Sequence, residues 1–258
     1  MLSHRVRSTL NIACFLMMLS VNYLANALPI NGVTQKELSA EYHIYLTPEG
    51  YVFAIWGLIY LGLSVYVAMQ ALPKWRDHSG LRRLDLPFVL SSVCNVLWLI
   101  VWHHRQLSLS VALMLGLLGS LILAYTRLES GHSTAFTLPW FVRKTFAVYL
   151  GWVGLATILN LSIWLDSLGW SGAPLSGPVW AVIMLGIACV LYLYLGFAGS
   201  DGAIPGVLAW ASLGIGIKNQ AEEMIWIAGL TVTTVCVMAM VGVAFFTHRT
   251  KQRYEKIG

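Results

Sequence analysis

Eight long stretches without Asp, Glu, Lys or Arg constrain the fold of this chain more than any other feature. A helix that crosses the hydrocarbon core of a bilayer needs about 20 apolar residues. Only helices and closed barrels bond all their backbone polar groups inside lipid. We therefore predict an all-α, polytopic transmembrane helix bundle of about eight spans, at residues 10–28, 51–72, 86–102, 107–125, 145–165, 179–199, 203–217 and 224–246.

The composition supports a membrane protein. Of the 258 residues, 58% are hydrophobic and only 10% are charged, and the mean hydropathy is +0.72. These values exclude a disordered chain and disfavour a soluble domain. The net charge of +5 would suggest nucleic-acid binding in a soluble protein, but here the cations flank the spans. We expect the bilayer as a partner and no nucleic acid.

The distribution of Lys and Arg predicts the orientation. If the N-terminus is inside and all eight spans cross, only Lys36, Arg105 and Lys218 of the 16 cations lie outside. Positive residues in short loops stay on the cytoplasmic side, so we predict N-in/C-in topology in a bacterial inner membrane. The seventh span is short and begins near Pro205, so a re-entrant hairpin and seven crossings is the alternative. The first span also resembles a cleavable signal peptide.

Aromatic and amide side chains repeat at helical spacing in three spans. Residues separated by three, four or seven positions share one face of a helix, and an Asn in a bilayer is costly unless it bonds to another helix or faces a cavity. These faces are therefore either packed core held by interhelical hydrogen bonds, or the lining of a pocket for a flat, apolar ligand. The residues are Phe53, Trp56 and Tyr60; Asn95, Trp98 and Trp102; and Tyr149, Trp152, Ala156 and Asn160.

The start of the second span has a helix-initiation pattern. Thr47 is predicted to be the N-cap, with Pro48 at the first helical position and Glu49 in the first turn. The preceding outside loop, residues 29–46, carries Tyr42, His43 and Tyr45. A long aromatic loop beside a pocket can serve as a lid, and a plain connector is the alternative.

Three segments resemble the tryptophan-rich sensory protein / translocator protein family (TspO, peripheral benzodiazepine receptor). Residues 46–60 (LTPEGYVFAIWGLIY) resemble its Pro-containing helix start with a Trp-x-x-x-Tyr signature. Residues 95–98 (NVLW) resemble the Asn-x-x-Trp of its third helix, and residues 149–164 (YLGWVGLATILNLSIW) resemble its fifth helix. The three matches are in the family's order and lie within residues 10–170.

The resemblance implies a five-helix bundle with a pocket that opens toward the outer side, under the loop between the first two helices. It also implies binding of porphyrins, sterol-like molecules or other flat hydrophobic ligands, and a role in sensing, carrying or transport. A porphyrin or haem-like molecule is thus an expected ligand, and no cofactor is required. The residues that would line the pocket by this resemblance are Trp56, Asn95, Trp98, Trp152, Ala156, Leu159 and Asn160.

The chain departs from the family pattern in two places. The cholesterol-recognition pattern needs a Tyr and a basic residue where Leu161 and Leu165 stand, which argues against specific sterol binding. The short family members also have no counterpart of spans six to eight. We predict a five-helix domain at residues 1–168, a Gly/Pro-rich linker at 169–178, and additional helices with a basic tail at 179–258. Glycines in these helices allow close packing or a homodimer.

Two further function classes remain open at this point. A transporter of small solutes would usually carry an intramembrane acid or base, and none of the predicted spans has one. A membrane enzyme would need a positioned acid, base, nucleophile or metal, and the candidates are all in loops. The four cysteines lie in four different spans, so neither a disulfide framework nor a metal site is predicted.

Overall fold

The computed structural model describes residues 3–42, 44–75, 78–129, 139–170 and 172–255. Within these ranges the chain is helical and forms no β-strand beyond an isolated bridge between Ile30 and Val33. The predicted all-α fold is confirmed, and each of the eight predicted spans falls in a helix. The α-helices are α1 (His4–Ala27), α2 (Gln35–Glu41), α3 (Ile55–Ala71), α4 (Ser79–His103), α5 (Leu107–Glu129), α6 (Trp140–Ser167), α7 (Gly177–Ala198), α8 (Ala203–Lys218) and α9 (Glu223–Glu255).

Seven helical segments of the described chain are long and apolar enough to cross a membrane. They are α1, α3 with the 3-10 turn before it, and α4, α5, α6, α7 and α9. The helix α8 has 16 residues, or about 24 Å at 1.5 Å per residue, which is shorter than the hydrocarbon core of about 30 Å. It is one continuous helix, so the re-entrant hairpin considered for this segment is wrong. The N-in/C-in orientation stays a prediction.

The described chain divides into two compact units, and the first comprises Met1–His43 and Ala54–Leu168. In this unit α1 packs against α3 and α4, α4 against α5, α5 against α6, and α6 against α3. The five helices therefore form a closed ring, and side chains that point inward from α1, α3, α4 and α6 share one interior. The apolar residues on the outer faces, such as Leu58 and Leu61, are exposed, as expected for positions that face lipid.

The second unit comprises Ile44–Phe53 and Gly169–Gly258, in which α7, α8 and α9 pack against one another. A Cβ at Gly229 would lie 2.8 Å from the Ser212 carbonyl oxygen and 2.9 Å from the Gly216 Cα. The backbones of α8 and α9 therefore approach as closely as in other glycine-mediated membrane helix pairs. The domain boundaries predicted at residues 168 and 178 stay a prediction.

Residues 44–53 lie along α8 in this unit. The Glu49 N–H donates to the Gly214 carbonyl at 3.1 Å, and the Trp210 Nε1–H donates to the Val52 carbonyl at 3.0 Å. The Asn219 amide donates to the Tyr45 carbonyl at 3.0 Å. The segment is thus held by both backbone and side-chain hydrogen bonds to one helix.

The helix start predicted at Thr47 is wrong. Residues 46–49 are not helical, a 3-10 turn forms at Gly50–Ala54, and α3 begins only at Ile55. The Thr47 hydroxyl is buried and caps no helix N–H among the described residues, and the Glu49 N–H is bonded to the Gly214 carbonyl of α8. The segment therefore follows α8 instead of starting a helix.

Candidate functional site

The predicted face of α4 is buried inside the five-helix unit. Asn95 is 0% exposed, Trp98 9% and Trp102 4%. The Trp98 and Trp102 rings are stacked, with centroids 6.1 Å apart and planes 18° from parallel. These three side chains span about 10 Å along the helix, at a rise of 1.5 Å per residue. The spacing argument is therefore correct about which residues share a face.

A hydrogen bond from α1 sets the orientation of the Asn95 amide. Asn22 Nδ2 donates to Asn95 Oδ1 at 2.7 Å and also to the Met18 carbonyl at 2.9 Å. With Oδ1 turned toward Asn22, the Nδ2–H₂ group of Asn95 points the other way and donates toward the Tyr149 hydroxyl. Asn22 itself is buried.

The α4 face carries buried N–H groups that donate a hydrogen bond to no residue that the structure describes. Trp98 Nε1 and Trp102 Nε1 are buried and have no hydrogen-bond partner among the residues that the structure describes, whereas one N–H of the Asn95 amide faces the Tyr149 hydroxyl. A buried donor without a partner costs about 1–3 kcal/mol. Such groups are uncommon in folded proteins and call for an explanation. The two indole N–H groups lie one helical turn apart on the same face of α4.

Trp56 of α3 lies at the centre of a second aromatic cluster in this unit. Its ring stacks on Tyr60, with centroids 5.4 Å apart and planes 19° from parallel. It makes edge contacts with Tyr149 at 5.8 Å and with Trp152 at 6.3 Å, both on α6. The structure thus brings together the aromatic residues that the spacing assigned to two separate helices.

Close packing of α3 and α6 positions this cluster. A Cβ at Gly62 would lie 2.2 Å from Oγ1 and 3.0 Å from Cβ of Thr145, so only glycine fits without a shift of α6. The Thr145 hydroxyl donates to the Phe141 carbonyl at 2.9 Å. The two helices therefore approach closely one to two turns from Trp56.

The remaining predicted site residues have more ordinary surroundings. The Asn160 amide is bonded through both of its polar atoms to the Ser110 hydroxyl of α5, at 2.9 and 3.1 Å. Ala156 and Leu159 are half-buried on α6. Phe53 lies in the 3-10 turn and belongs to the second unit. A ligand contact at each of these four positions stays a prediction.

Residues 31–42 contact the C-terminal end of α4. The Tyr42 ring lies 5.6 Å from the Trp102 ring, and Asn31 Nδ2 donates to the His103 carbonyl at 3.0 Å. Arg105 forms an exposed ion pair with Glu41 at 2.6 Å. This part of the loop is therefore fixed over the end of the Trp98–Trp102 stack. His43, which the sequence also assigned to a lid, lies outside the described residues.

The helical spacing placed Trp102 and Tyr149 on the predicted faces, but the lining implied by the family resemblance did not include either residue. Asn22 was missing from both predictions. No sequence pattern indicates a role for Asn22, because it is an isolated amide on α1 and its partner Asn95 is 73 positions away in the sequence.

A polar network lies at the other end of the same unit. Arg7 is paired with Asp85, and Asn11 Nδ2 donates to Asp85 Oδ1 at 2.7 Å and to Gln70 Oε1 at 2.9 Å. Arg7 and Asp85 lie in α1 and α4 just before the charge-free stretches that begin at residues 10 and 86. The prediction that the charge-free spans themselves contain no acid or base is unaffected.

No group of three or more His, Cys, Asp or Glu side chains that could hold a metal ion occurs among the described residues. The four cysteines are free.

The fold and this site define a polytopic helical membrane protein with an aromatic, donor-rich interior in a five-helix ring. A family model described as TSPO-like protein matches residues 8–247, and the chain belongs to that family. The match extends through α7, α8 and α9, beyond the segments whose resemblance was visible in the sequence. Searches of curated proteins and of solved structures gave no match.

Proposed function

We propose that the five-helix unit binds a flat hydrophobic molecule such as a porphyrin, and that the protein senses or carries this ligand. The observation that carries the proposal is the buried face of α4, where two stacked indoles next to the Asn95 amide leave both of their N–H groups unpaired. Stacking on aromatic rings holds a flat ligand, and a few polar groups fix its orientation. The Trp56 cluster lies in the same unit and supplies further aromatic surface.

The loop after α1 supports a lid function. Tyr42 contacts Trp102, and the Arg105–Glu41 pair and the Asn31 bond fasten the loop to the end of α4. Leu38 of α2 is also fully buried, whereas the ion pair is exposed and contributes about 0–1 kcal/mol. Local opening of such a loop costs less free energy than unfolding the bundle. Opening would give a ligand a route to Trp102.

The test is titration of the protein in lipid nanodiscs with protoporphyrin IX, followed through porphyrin absorbance and fluorescence, with empty nanodiscs as the reference for partitioning. The variant Trp98→Ala removes one stacked ring. The matched control is Trp140→Ala, because Trp140 is 76% exposed at the start of α6. We expect saturable binding that weakens at least tenfold in Trp98→Ala and is unchanged in Trp140→Ala. Binding that does not saturate above the nanodisc background would refute the proposal.

A transporter is the second candidate, and one observation favours it. Arg7 and Asp85 place an ion pair within helices of the bundle, and intramembrane charges commonly mark transport pathways. Reconstituted vesicles separate the two candidates. Net movement of a porphyrin across a sealed vesicle, lost in Asp85→Asn, would support transport, whereas binding without movement supports a sensor.

The setting of this function is also a proposal. We infer a bacterial inner membrane from the positive-inside pattern of the cations, which requires insertion from the cytoplasm. A homodimer remains an expectation based on the glycines of the C-terminal helices. Cross-linking of the protein in its native membrane tests it.

A further inference from the structure

We propose that the ligand meets α4 through uncharged hydrogen-bond acceptors, such as ester, ketone or amide carbonyls, and that Asn95, Trp98 and Trp102 select for them. The inference rests on the proposed function, because it names the chemical class of the molecule that the same site takes. It assigns a specificity role to the edge of the ligand that faces α4.

The direction of the hydrogen bonds follows from the atoms involved. The indole Nε1–H of Trp98 and Trp102 can only donate, because the nitrogen lone pair belongs to the ring. The Asn95 amide accepts one bond from Asn22 at its Oδ1, at 2.7 Å, and its Nδ2 group has two N–H bonds, of which one faces the Tyr149 hydroxyl. The two unpaired indole groups are therefore donors, with one further N–H of Asn95 beside them, and a ligand that offers only further donors leaves the indoles unpaired.

The spacing of the donors fits one extended molecule. They lie at positions i, i+3 and i+7, on one face and over about 10 Å of helix. The stacked Trp98 and Trp102 rings, with planes 18° apart, aim their N–H groups from neighbouring turns. A flat molecule with acceptors along one edge can satisfy more than one of them at the same time.

The spans beside the site contain no charged residue, and Arg105 at the end of α4 is exposed and already paired with Glu41, which argues against an anionic acceptor. Residues 8–27, 55–71, 86–102 and 145–165, which supply the interior of the ring in this half, contain no Asp, Glu, Lys or Arg. A carboxylate moved from water into such surroundings loses its hydration without gaining a counter-charge, and the cost is several kcal/mol. A neutral carbonyl gains the same hydrogen bonds and loses far less solvation. Any carboxylate of the ligand therefore lies away from α4, in water or among headgroups.

Three porphyrins of similar size separate these chemistries. Etioporphyrin carries only alkyl substituents, protoporphyrin IX dimethyl ester carries two neutral carbonyl groups, and protoporphyrin IX carries two carboxylates. We expect the ester to bind at least tenfold more tightly than etioporphyrin, the effect of between one and two hydrogen bonds at about 1 kcal/mol each. We expect the diacid to bind no more tightly than the ester. All titrations use nanodiscs, with partitioning into empty discs subtracted.

Substitutions on α4 test whether its Trp donors cause the preference for the ester. Trp98→Phe and Trp102→Phe keep an aromatic ring and remove one donor each, so the ratio of the ester and etioporphyrin affinities should fall about fivefold in each variant. In the control, Trp164→Phe, the lost donor is one whose Nε1–H is already bonded to the Ser108 hydroxyl at 3.0 Å, and the ratio should not change. A ratio within one variant also cancels any general loss of folded protein.

Other results of these titrations would each refute a separate part of the proposal. Equal affinity for the ester and etioporphyrin would refute the acceptor preference and leave the porphyrin site in place. A diacid that binds tenfold more tightly than the ester would show that the acceptor is anionic. An affinity ratio unchanged in both Trp variants would remove the selection from α4. If none of the three compounds saturates, the proposed function itself fails.

Discussion

Asn22 on α1 and Asn95 on α4 form a buried amide pair, in which Asn22 Nδ2 donates to Asn95 Oδ1 at 2.7 Å. The pair joins two helices of the ring and fixes the direction in which the Asn95 Nδ2 group points. One hydrogen bond therefore serves both the packing of the bundle and the orientation of a donor in the proposed site. The consequence is that stability and ligand affinity should change together when this bond is removed.

The variant Asn22→Leu tests that coupling. Loss of the Asn22 amide leaves Asn95 Oδ1 buried without this partner, which lowers the free energy of unfolding by about 1–3 kcal/mol. It also allows the Asn95 amide to turn. We expect the apparent Tm in a fixed detergent to fall by roughly 2–10 °C and the affinity for protoporphyrin IX dimethyl ester to fall as well. Asn26→Leu is the control, because the Asn26 amide bonds only to its own helix, at the Asn22 carbonyl. Equal effects of the two substitutions would contradict the coupling.

The close approach of α3 and α6 predicts a sharp glycine requirement at position 62. A Cβ there would overlap the Thr145 side chain, so Gly62→Ala should displace α6 and destabilise the bundle by about 1–3 kcal/mol. Gly57→Ala on the same helix meets nothing within 4 Å and should not destabilise it, since alanine favours helix. Thermal unfolding measures both. Replacing Thr145 with Ala beside Gly62→Ala should restore part of the stability, and no restoration would argue against the steric explanation.

The contact between Gly214 and Val52 predicts that α8 holds residues 44–53 in place. A Cβ at Gly214 would lie 2.2 Å from Val52 Cγ2, so Gly214→Ala should loosen the segment and weaken the bond from Glu49. Hydrogen exchange followed by mass spectrometry should show faster exchange in peptides that cover residues 44–53. The control is Gly186→Ala, where a Cβ meets nothing within 4 Å. Unchanged exchange in Gly214→Ala would show that α8 does not hold the segment.

The Arg7–Asp85 pair predicts a measurable coupling energy. The side chains are 16% and 17% exposed, between a surface pair worth about 0–1 kcal/mol and a buried pair whose disruption costs about 3–5 kcal/mol. We therefore expect Asp85→Asn to lower the free energy of unfolding by about 1–3 kcal/mol. A double-mutant cycle with Arg7→Gln should give a coupling of about 1 kcal/mol or more. Additive effects of the two substitutions would mean that the pair contributes nothing.

Hydropathy predicted the helices well because lipid imposes one requirement on every span. An apolar stretch of the right length must be helical to satisfy its backbone, and α8 illustrates the accuracy, since residues 203–217 were expected and Ala203–Lys218 is observed. The ends were predicted less well. The helix α4 begins at Ser79, seven residues before the charge-free stretch, with His78 as its N-cap, because a helix can continue beyond the apolar stretch that spans the bilayer.

The sequence predicted which residues share a helix face, but not which residues of the neighbouring helices they contact. Helical spacing placed Asn95 and Trp98 on one face of α4, yet spacing within one helix contains no information about the partner helix. Asn160 shows the limit, because its amide bonds to Ser110 of α5, which no pattern in α6 indicates. At Thr47 the sequence predicted a helix start, but residues 46–49 are not helical and Glu49 bonds to Gly214 of α8.

The most direct test of the proposed function is photoaffinity labelling in nanodiscs with a porphyrin that carries a diazirine, followed by peptide mapping. The account predicts competitive labelling of α4 between Asn95 and Trp102 and of α3 near Trp56, abolished by excess protoporphyrin IX dimethyl ester. Labelling confined to lipid-facing residues such as Leu61 and Leu97, which are exposed on the same two helices, would contradict an interior site. Equal labelling of both faces without competition would show partitioning from the bilayer alone.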